Sequence, residues 1–157
     1  MELTSTSYDA GQTIPTRHAT HGVPGGEDLS VQLSWSGAPA GRRSFVITMI
    51  DRHPIAHGWV HWLIVDVPAG VSSLGEGISC TAAMPAGACE LDSSYGRPGY
   101  GGPQPPPGSG THEYNTTVYA LDVARLGVGR TATWDEVRRA MEGNVLASDT
   151  LIGRFAG

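Results

Sequence analysis

Lysine is absent from this chain, and its ten basic residues are all arginines. The formal net charge is −5, and no run of basic residues interrupts the sequence. A protein that binds DNA or RNA needs clustered positive charge, so this composition excludes nucleic acid as a partner. No stretch approaches 18 consecutive apolar residues, which predicts that no segment spans a membrane. The first residues, 1–5, lack the basic start and apolar region of a secretory signal, so we expect a cytoplasmic protein.

Cysteine is also scarce, because only Cys80 and Cys89 occur in the chain. Cytosolic proteins keep most thiols reduced, so we expect two free thiols, with a disulfide between them as the alternative. Two cysteines are too few to form a structural zinc site on their own. We expect no metal and no cofactor.

Strong helical periodicity is rare, whereas glycine (22) and proline (11) cluster between apolar runs. This pattern is typical of a mostly β domain with many turns. The length of 157 residues fits one domain, 1–157. Apolar runs predict strands at Leu29–Trp35, Ser44–Ile50, Val60–Val67, His112–Val123 and Leu151–Phe155. One helix is expected from Trp134 to about Gly143, preceded by a capping box of Thr133 and Glu136.

The segment from Asp51 to Trp62 is the most informative part of the chain. It holds one carboxylate, three of the six histidines and two of the four tryptophans, between two apolar strand-like runs. Titratable groups at the junction of a strand and a turn are usually there for chemistry or ligand contact. Regular strand alternation would place His61 on the same face as Leu63, Val65 and Val67.

A second segment combines glycine, proline, histidine and tyrosine. Residues 68–110 show no clear strand or helix, and a loop of this length within a compact domain is usually functional. The loop ends in the Gly/Pro-rich run 99–108, which we expect to form a rigid rim with exposed backbone amides. His112 and Tyr114 follow on one face of the next strand, beside that rim.

Together these two segments resemble the signature of the phosphatidylethanolamine-binding protein family, in its short bacterial, Raf-kinase-inhibitor-like branch. The family's first motif reads roughly Asp-Pro-Asp-x-Pro followed by Trp-x-His-Trp, and its second reads Tyr-x-Gly-x-x-Pro-Pro followed by His-x-Tyr. The resemblance implies an antiparallel β-sandwich with one short helix near the C-terminus and a long Gly/Pro-rich loop. It also implies a pocket for phosphate, a phospholipid head group or acetate. Pairing into homodimers is common in bacterial members, which makes a homodimer an expectation here.

Position by position, the resemblance implies ligand-binding roles for Asp51, His61, Gly102, Pro105, His112 and Tyr114. The chain departs from the family at Arg52 and His53, because Asp51-Arg52-His53 stands where the family has Asp-Pro-Asp. We include His53 among the ligand-binding candidates. An imidazole in place of a carboxylate should favour more anionic ligands, or create a His–Asp–His set able to move protons.

Three hypotheses of function follow. The first is a protein that binds a small anion, phosphate or phospholipid head group, with a regulatory role as an option. The second is a cofactor-independent enzyme that dehydrates, isomerises or cyclises a small metabolite, with His53, Asp51 and His61 as catalytic residues. The third is an interaction module that inhibits a kinase or protease.

Simpler interpretations of the same residues stay open. Asp51 could serve only as an acceptor for turn amides, Tyr114 as a packing residue and His53 as a solvated turn residue. A metal site built from Asp51, His53, His61 and His112 is disfavoured, because their spacing matches no short metal-binding motif. A Ser-His-Asp hydrolase is disfavoured too, because no Gly-x-Ser-x-Gly elbow occurs.

Overall fold

Two antiparallel sheets form the body of the protein in a computed structural model that describes residues 1–157. The larger sheet has five strands in the order β6-β4-β3-β7-β8, and the smaller has the order β1-β2-β5. The strands are β1 Glu2–Thr4, β2 Leu33–Ser36, β3 Ser44–Asp51, β4 Val60–Pro68, β5 Ser73–Leu74, β6 Cys89–Glu90, β7 Thr111–Leu121 and β8 Val145–Ala156, and the one α-helix, α1, is Trp134–Met141. Short 3-10 turns lie at Thr16–His18 and Pro54–Ala56. The mostly β fold with one short helix is therefore confirmed.

The central strands β3 and β4 of the five-stranded sheet are buried on both faces, which explains why most of their residues are apolar. One face packs against the small sheet in a core that contains Trp35, Phe45 and Trp62. The other face packs against α1 through residues such as Leu63 and Val137. A strand covered on both sides reads as a continuous apolar run, as the sequence of both strands does.

The predicted helix and its capping box are confirmed. The Thr133 hydroxyl accepts a hydrogen bond from the Glu136 amide at 3.2 Å, and the Glu136 carboxylate accepts one from the Thr133 amide at 2.7 Å. These bonds satisfy amides that have no partner within the first turn, and they fix where the helix starts.

Two predicted strands differ from those observed. β2 begins at Leu33 rather than Leu29, because side chains of the N-terminal segment hold residue 32: Ser7 Oγ accepts from the Gln32 amide and Ser5 Oγ donates to its carbonyl. β8 begins at Val145, well before the predicted start at Leu151. The early part of β8 lacks the apolar alternation that predicts a strand, yet it pairs with β7 along its length.

A β-bulge at His61 makes the predicted face of this histidine wrong. Trp62 pairs with Met49 whereas Val60 pairs with Ile50, so one residue of β4 has no opposite partner. A bulge of this kind redirects the side chains beside it. His61 therefore lies against Tyr114, which belongs to the core between the sheets, whereas Leu63 belongs to the core under α1.

Candidate functional site

A cavity of about 630 Å³ lies where the end of β3, the start of β4 and the start of β7 meet the Gly/Pro-rich loop. Five of the seven residues expected to bind a ligand line this cavity: Asp51, His61, Pro105, His112 and Tyr114. The other two, His53 and Gly102, do not line it. The structure thus brings together side chains that are up to 63 positions apart in the sequence.

Asp51 and His112 form a buried pair. Oδ2 of Asp51 lies 2.7 Å from Nδ1 of His112, and the two side chains are 6% and 1% exposed. Oδ1 of Asp51 accepts a hydrogen bond from the His53 amide at 2.8 Å. Asp51 therefore orients an imidazole and also accepts a hydrogen bond from a turn amide. It makes the contact expected of a ligand-site residue as well as the contact expected of an ordinary turn residue.

The second nitrogen of His112 contacts a serine that the sequence analysis did not include. Nε2 of His112 lies 2.8 Å from Oγ of Ser109, and the same hydroxyl donates to the Pro106 carbonyl at 2.6 Å. A serine hydroxyl has one proton to donate. When it donates that proton to the Pro106 carbonyl, it can only accept from Nε2 of His112, so Nε2 is the donor in that contact. In this arrangement His112 donates from both nitrogens, and its positive charge balances the negative charge of Asp51.

His61 has a different protonation state. Its Nδ1 lies 2.7 Å from the carbonyl oxygen of Gly101, which can only accept, so Nδ1 carries the ring proton. Burial lowers the pKa of His61 below its usual 6.5, although the Gly101 carbonyl and Asp51 act in the opposite direction. His61 is therefore a neutral imidazole in the cavity wall, and its Nε2 makes no hydrogen bond within the protein.

The Tyr114 hydroxyl lies beside Asp51 but makes no well-formed hydrogen bond, although its side chain is buried in the cavity wall. Its side chain is fully buried, and its ring packs edge to face against His61 at 5.1 Å. Burial and the nearby negative charge of Asp51 raise its pKa, so the hydroxyl keeps its proton. Native proteins rarely leave a buried polar group unpaired, and such a group often marks a site that a ligand completes.

His53 lies behind His112 rather than in the cavity wall. The two imidazole rings stack nearly parallel, with centroids 3.9 Å apart and an interplanar angle of 9°. Nδ1 of His53 accepts from the Ile55 amide, which caps the 3-10 turn. His53 is therefore placed outside the cavity wall, and its role in ligand binding stays a prediction.

Gly102, which we expected to bind the ligand, has hydrogen-bond partners within the protein for both of its backbone polar groups. Its N–H donates to Oδ1 of Asp28 at 2.8 Å, and its carbonyl accepts from the Tyr95 hydroxyl at 2.8 Å. A side chain at this position would collide with the His18 carbonyl. Glycine is therefore needed here for close packing of two loops, and both of its backbone polar groups are already paired.

Nine further residues line the cavity and were not among the predicted site residues, and the largest of them are Ile55, Trp59, Tyr95 and Gln104. Ile55 and Trp59 are 50% and 39% exposed, and these are unusual values for large apolar side chains. The sequence could have indicated that Ile55 and Trp59 contact a ligand, because they are apolar residues in a turn beside a cluster of titratable residues. We call these two residues the apolar lip of the cavity. Tyr95 packs edge to face on both Trp59 and His61, a contact that the sequence of the long loop does not reveal.

Two expectations outside the cavity can also be compared with the structure. Cys80 and Cys89 are free thiols, as expected. No helix has the length and apolarity needed to cross a membrane.

Comparison with known proteins agrees with this geometry. The family model described as phosphatidylethanolamine-binding protein matches residues 4–156. The chain is 36% identical over 159 residues to the UPF0098 protein YbhB of Escherichia coli K12, which covers 99% of this chain and 100% of the relative. It is 31% identical over 157 residues to the putative lipoprotein LppC of Mycobacterium tuberculosis H37Rv, and covers 73% of that protein. Because one relative is named a lipoprotein, the cytoplasmic location stays a prediction.

Among solved structures, the crystal structure of E. coli YbcL superposes with a TM-score of 0.90 at 30% identity, over 98% of this chain and 96% of that chain. YbcL is described as a member of the mammalian PEBP family. The match extends over both sheets and over the loop that carries the cavity rim. This chain belongs to the phosphatidylethanolamine-binding protein family.

Proposed function

We propose that the cavity binds a small molecule through a phosphate-containing polar head group, in the class of phosphate monoesters and phospholipid head groups. The observation that carries this proposal is the buried Tyr114 hydroxyl, which keeps its proton, lies beside the Asp51 carboxylate and makes no well-formed hydrogen bond within the protein. A phosphate oxygen that accepts from this hydroxyl would remove the cost of burying an unpaired donor.

His61 supplies the complementary group. Its Nε2 is an acceptor, because the ring is neutral and Nδ1 holds the proton. The head group must therefore donate as well as accept, through an acidic P–OH, a hydroxyl or an ammonium group. A fully deprotonated phosphate offers only acceptors and would meet the lone pair of His61.

The charge of the cavity wall also favours a head group that is not purely anionic. No arginine lines the cavity, and the charge of His112 is balanced by Asp51. A dianionic ligand would lose its hydration without meeting an unmatched positive charge. The head group of best fit carries both signs of charge, as phosphoethanolamine does.

An apolar lip beside the mouth favours a ligand with an apolar part. Ile55 and Trp59 are the only large apolar side chains of the cavity that are more than a third exposed. An apolar chain attached to the head group would cover both side chains and shield them from water. This burial contributes about 25 cal/mol to the binding free energy per Å² of apolar surface covered.

Isothermal titration calorimetry with phosphoethanolamine tests the proposal, with inorganic phosphate as the comparison ligand. We expect a Kd below about 1 mM for phosphoethanolamine and weaker binding for phosphate. Tyr114→Phe should weaken binding about tenfold, because it removes one hydrogen bond to a charged group. Equal affinity of Tyr114→Phe and the unmodified protein would show that the ligand does not use this hydroxyl.

The remaining hypotheses stay predictions. An enzyme with His53, Asp51 and His61 as catalytic residues, an inhibitor of a kinase or protease, and a homodimer each require their own measurement. A metabolite that binds through the same head group would be compatible with the proposed cavity chemistry.

A further inference from the structure

Ser109 completes a hydrogen-bonded chain of three side chains. Its Oγ lies 2.8 Å from Nε2 of His112, whose Nδ1 lies 2.7 Å from Oδ2 of Asp51. The chain runs from a half-buried hydroxyl through an imidazole to a buried carboxylate. These contacts, at these distances, are the ones through which an imidazole takes the proton of a nucleophilic serine while a carboxylate holds the ring in orientation.

The turn around Ser109 is built from two glycines. Gly108 and Gly110 flank the serine at φ of +79° and +84°, in the left-handed region that favours glycine. A Cβ at either glycine would meet nothing within 4 Å, so the space beside the serine is open. Neither glycine amide donates a hydrogen bond within the protein, which leaves two N–H donors next to the hydroxyl. Backbone donors of this kind stabilise the oxyanion that forms when a serine attacks a carbonyl.

The position of one proton decides whether the serine can react. With His112 protonated on both nitrogens, the Ser109 hydroxyl points at the Pro106 carbonyl, 2.6 Å away. When the ring of His112 holds a proton only on Nδ1, Nε2 has a lone pair, and the serine hydroxyl can donate to it. The groups that face the His112 ring are Asp51, the stacked His53 and Tyr114.

We propose that Ser109 is a nucleophile toward small activated acyl esters, with His112 as its general base and Asp51 as the residue that positions His112. Oγ of Ser109 forms a bond to the acyl carbon while its proton passes to Nε2 of His112. The ester C–O bond then breaks, and the leaving oxygen takes the proton from Nε2. Water attacks the acyl-serine through the same base, releases the acid and restores the hydroxyl. This activity uses Asp51 and His112 of the cavity wall but does not require a bound head group.

Acylation of the full chain by p-nitrophenyl acetate tests the proposal, with p-nitrophenol release and intact mass measured together. We expect a burst of nitrophenol, one acetyl group per chain, and peptide mapping that places the acetyl on Ser109. Ser109→Ala should slow release at least about tenfold, because it removes the nucleophile and leaves only a free imidazole.

Two further variants keep the result interpretable. Ser72→Ala is the matched control, because Ser72 is exposed and its side chain makes no hydrogen bond, so it should acylate like the unmodified protein. Ser109→Cys should also acylate, since a thiol at the same position is a nucleophile that the same base can activate. Release that is unchanged in Ser109→Ala, an acetyl group located on another residue, or no covalent adduct would each overturn the proposal.

Discussion

Oδ2 of Asp51 lies 2.7 Å from Nδ1 of His112, and neither side chain is more than 6% exposed. The contact joins the last residue of β3 to the start of β7, strands that pair in register at Asp51 and Tyr114. A buried carboxylate without its partner costs free energy of folding. The pair therefore stabilises the contact between β3 and β7 at the cavity. It also fixes which nitrogen of His112 points away from Asp51.

Asp51→Asn tests the energetic part of this relationship. The substitution keeps a side chain of nearly the same shape but removes the charge that balances His112, so we expect a loss of about 3 kcal/mol in the free energy of unfolding. Chemical denaturation would measure it. Glu113→Gln is the control, because the Glu113–Arg154 pair is about half exposed on both sides and should change stability by less than about 1 kcal/mol. Equal losses in the two variants would contradict the account.

Two tyrosine-to-phenylalanine changes should have opposite effects on stability. Tyr114→Phe removes a buried hydroxyl that makes no well-formed hydrogen bond, so we expect unchanged or higher stability, by about 1 kcal/mol. Tyr8→Phe removes a buried hydroxyl that bonds to Thr116 at 3.3 Å, so we expect a loss of about 1 kcal/mol. Thermal unfolding of both variants measures the contrast. A clear loss of stability in Tyr114→Phe would mean that its hydroxyl has a partner in the free protein.

Acid should destabilise the protein through two buried histidines. Burial lowers the pKa of His61 and of His18 below the usual 6.5, so the folded protein favours their neutral forms. Their contribution to stability is therefore complete above pH 6.5. As the pH falls below 6.5, the unfolded chain takes up protons that the folded protein does not, and stability falls by at most about 1.4 kcal/mol per pH unit per histidine.

Urea unfolding between pH 7.5 and about pH 5 measures this slope. His61→Gln should reduce the slope, because one of the two titrating groups is gone. His21→Gln should leave the slope unchanged, since His21 is exposed. A slope in His61→Gln equal to that of the unmodified protein would show that His61 does not link folding to pH.

Gly102→Ala should disrupt the packing of the cavity rim. A methyl group there would collide with the backbone carbonyl of His18, so we expect a loss of about 2 to 3 kcal/mol in unfolding free energy. Gly70→Ala is the control, because a Cβ at Gly70 meets nothing within 4 Å and its φ is not in the left-handed region. If both variants unfold at the same denaturant concentration, close packing of the two loops is not the reason for glycine at position 102.

The sequence carried much of the fold and part of the site. The central strands and the capped helix were predictable because apolar runs and capping residues are local signals. Asp51, His61, His112 and Tyr114 were predictable as a group from the two family motifs. The edge strand β8 was not fully predictable, because its first half faces solvent and holds a strand conformation through its pairing with β7.

The atomic arrangement of the site depends on contacts that sequence alone does not specify. The bulge at His61 changes the face on which this residue lies, and it arises from the register between β3 and β4. His53 caps the 3-10 turn, and its ring stacks on that of His112 in β7, a contact between residues 59 positions apart. Ser109 lacks the expected hydrolase elbow, yet a three-residue spacing from His112 on a glycine-flanked turn was the signal that could have identified it.

A high-resolution crystal structure of the protein grown with phosphoethanolamine tests the central claim most directly. The account predicts ligand density in the cavity, with a phosphate oxygen within hydrogen-bond distance of the Tyr114 hydroxyl and a ligand donor at Nε2 of His61. A cavity that holds only water at saturating ligand, or a ligand that leaves the Tyr114 hydroxyl without a partner, would contradict it.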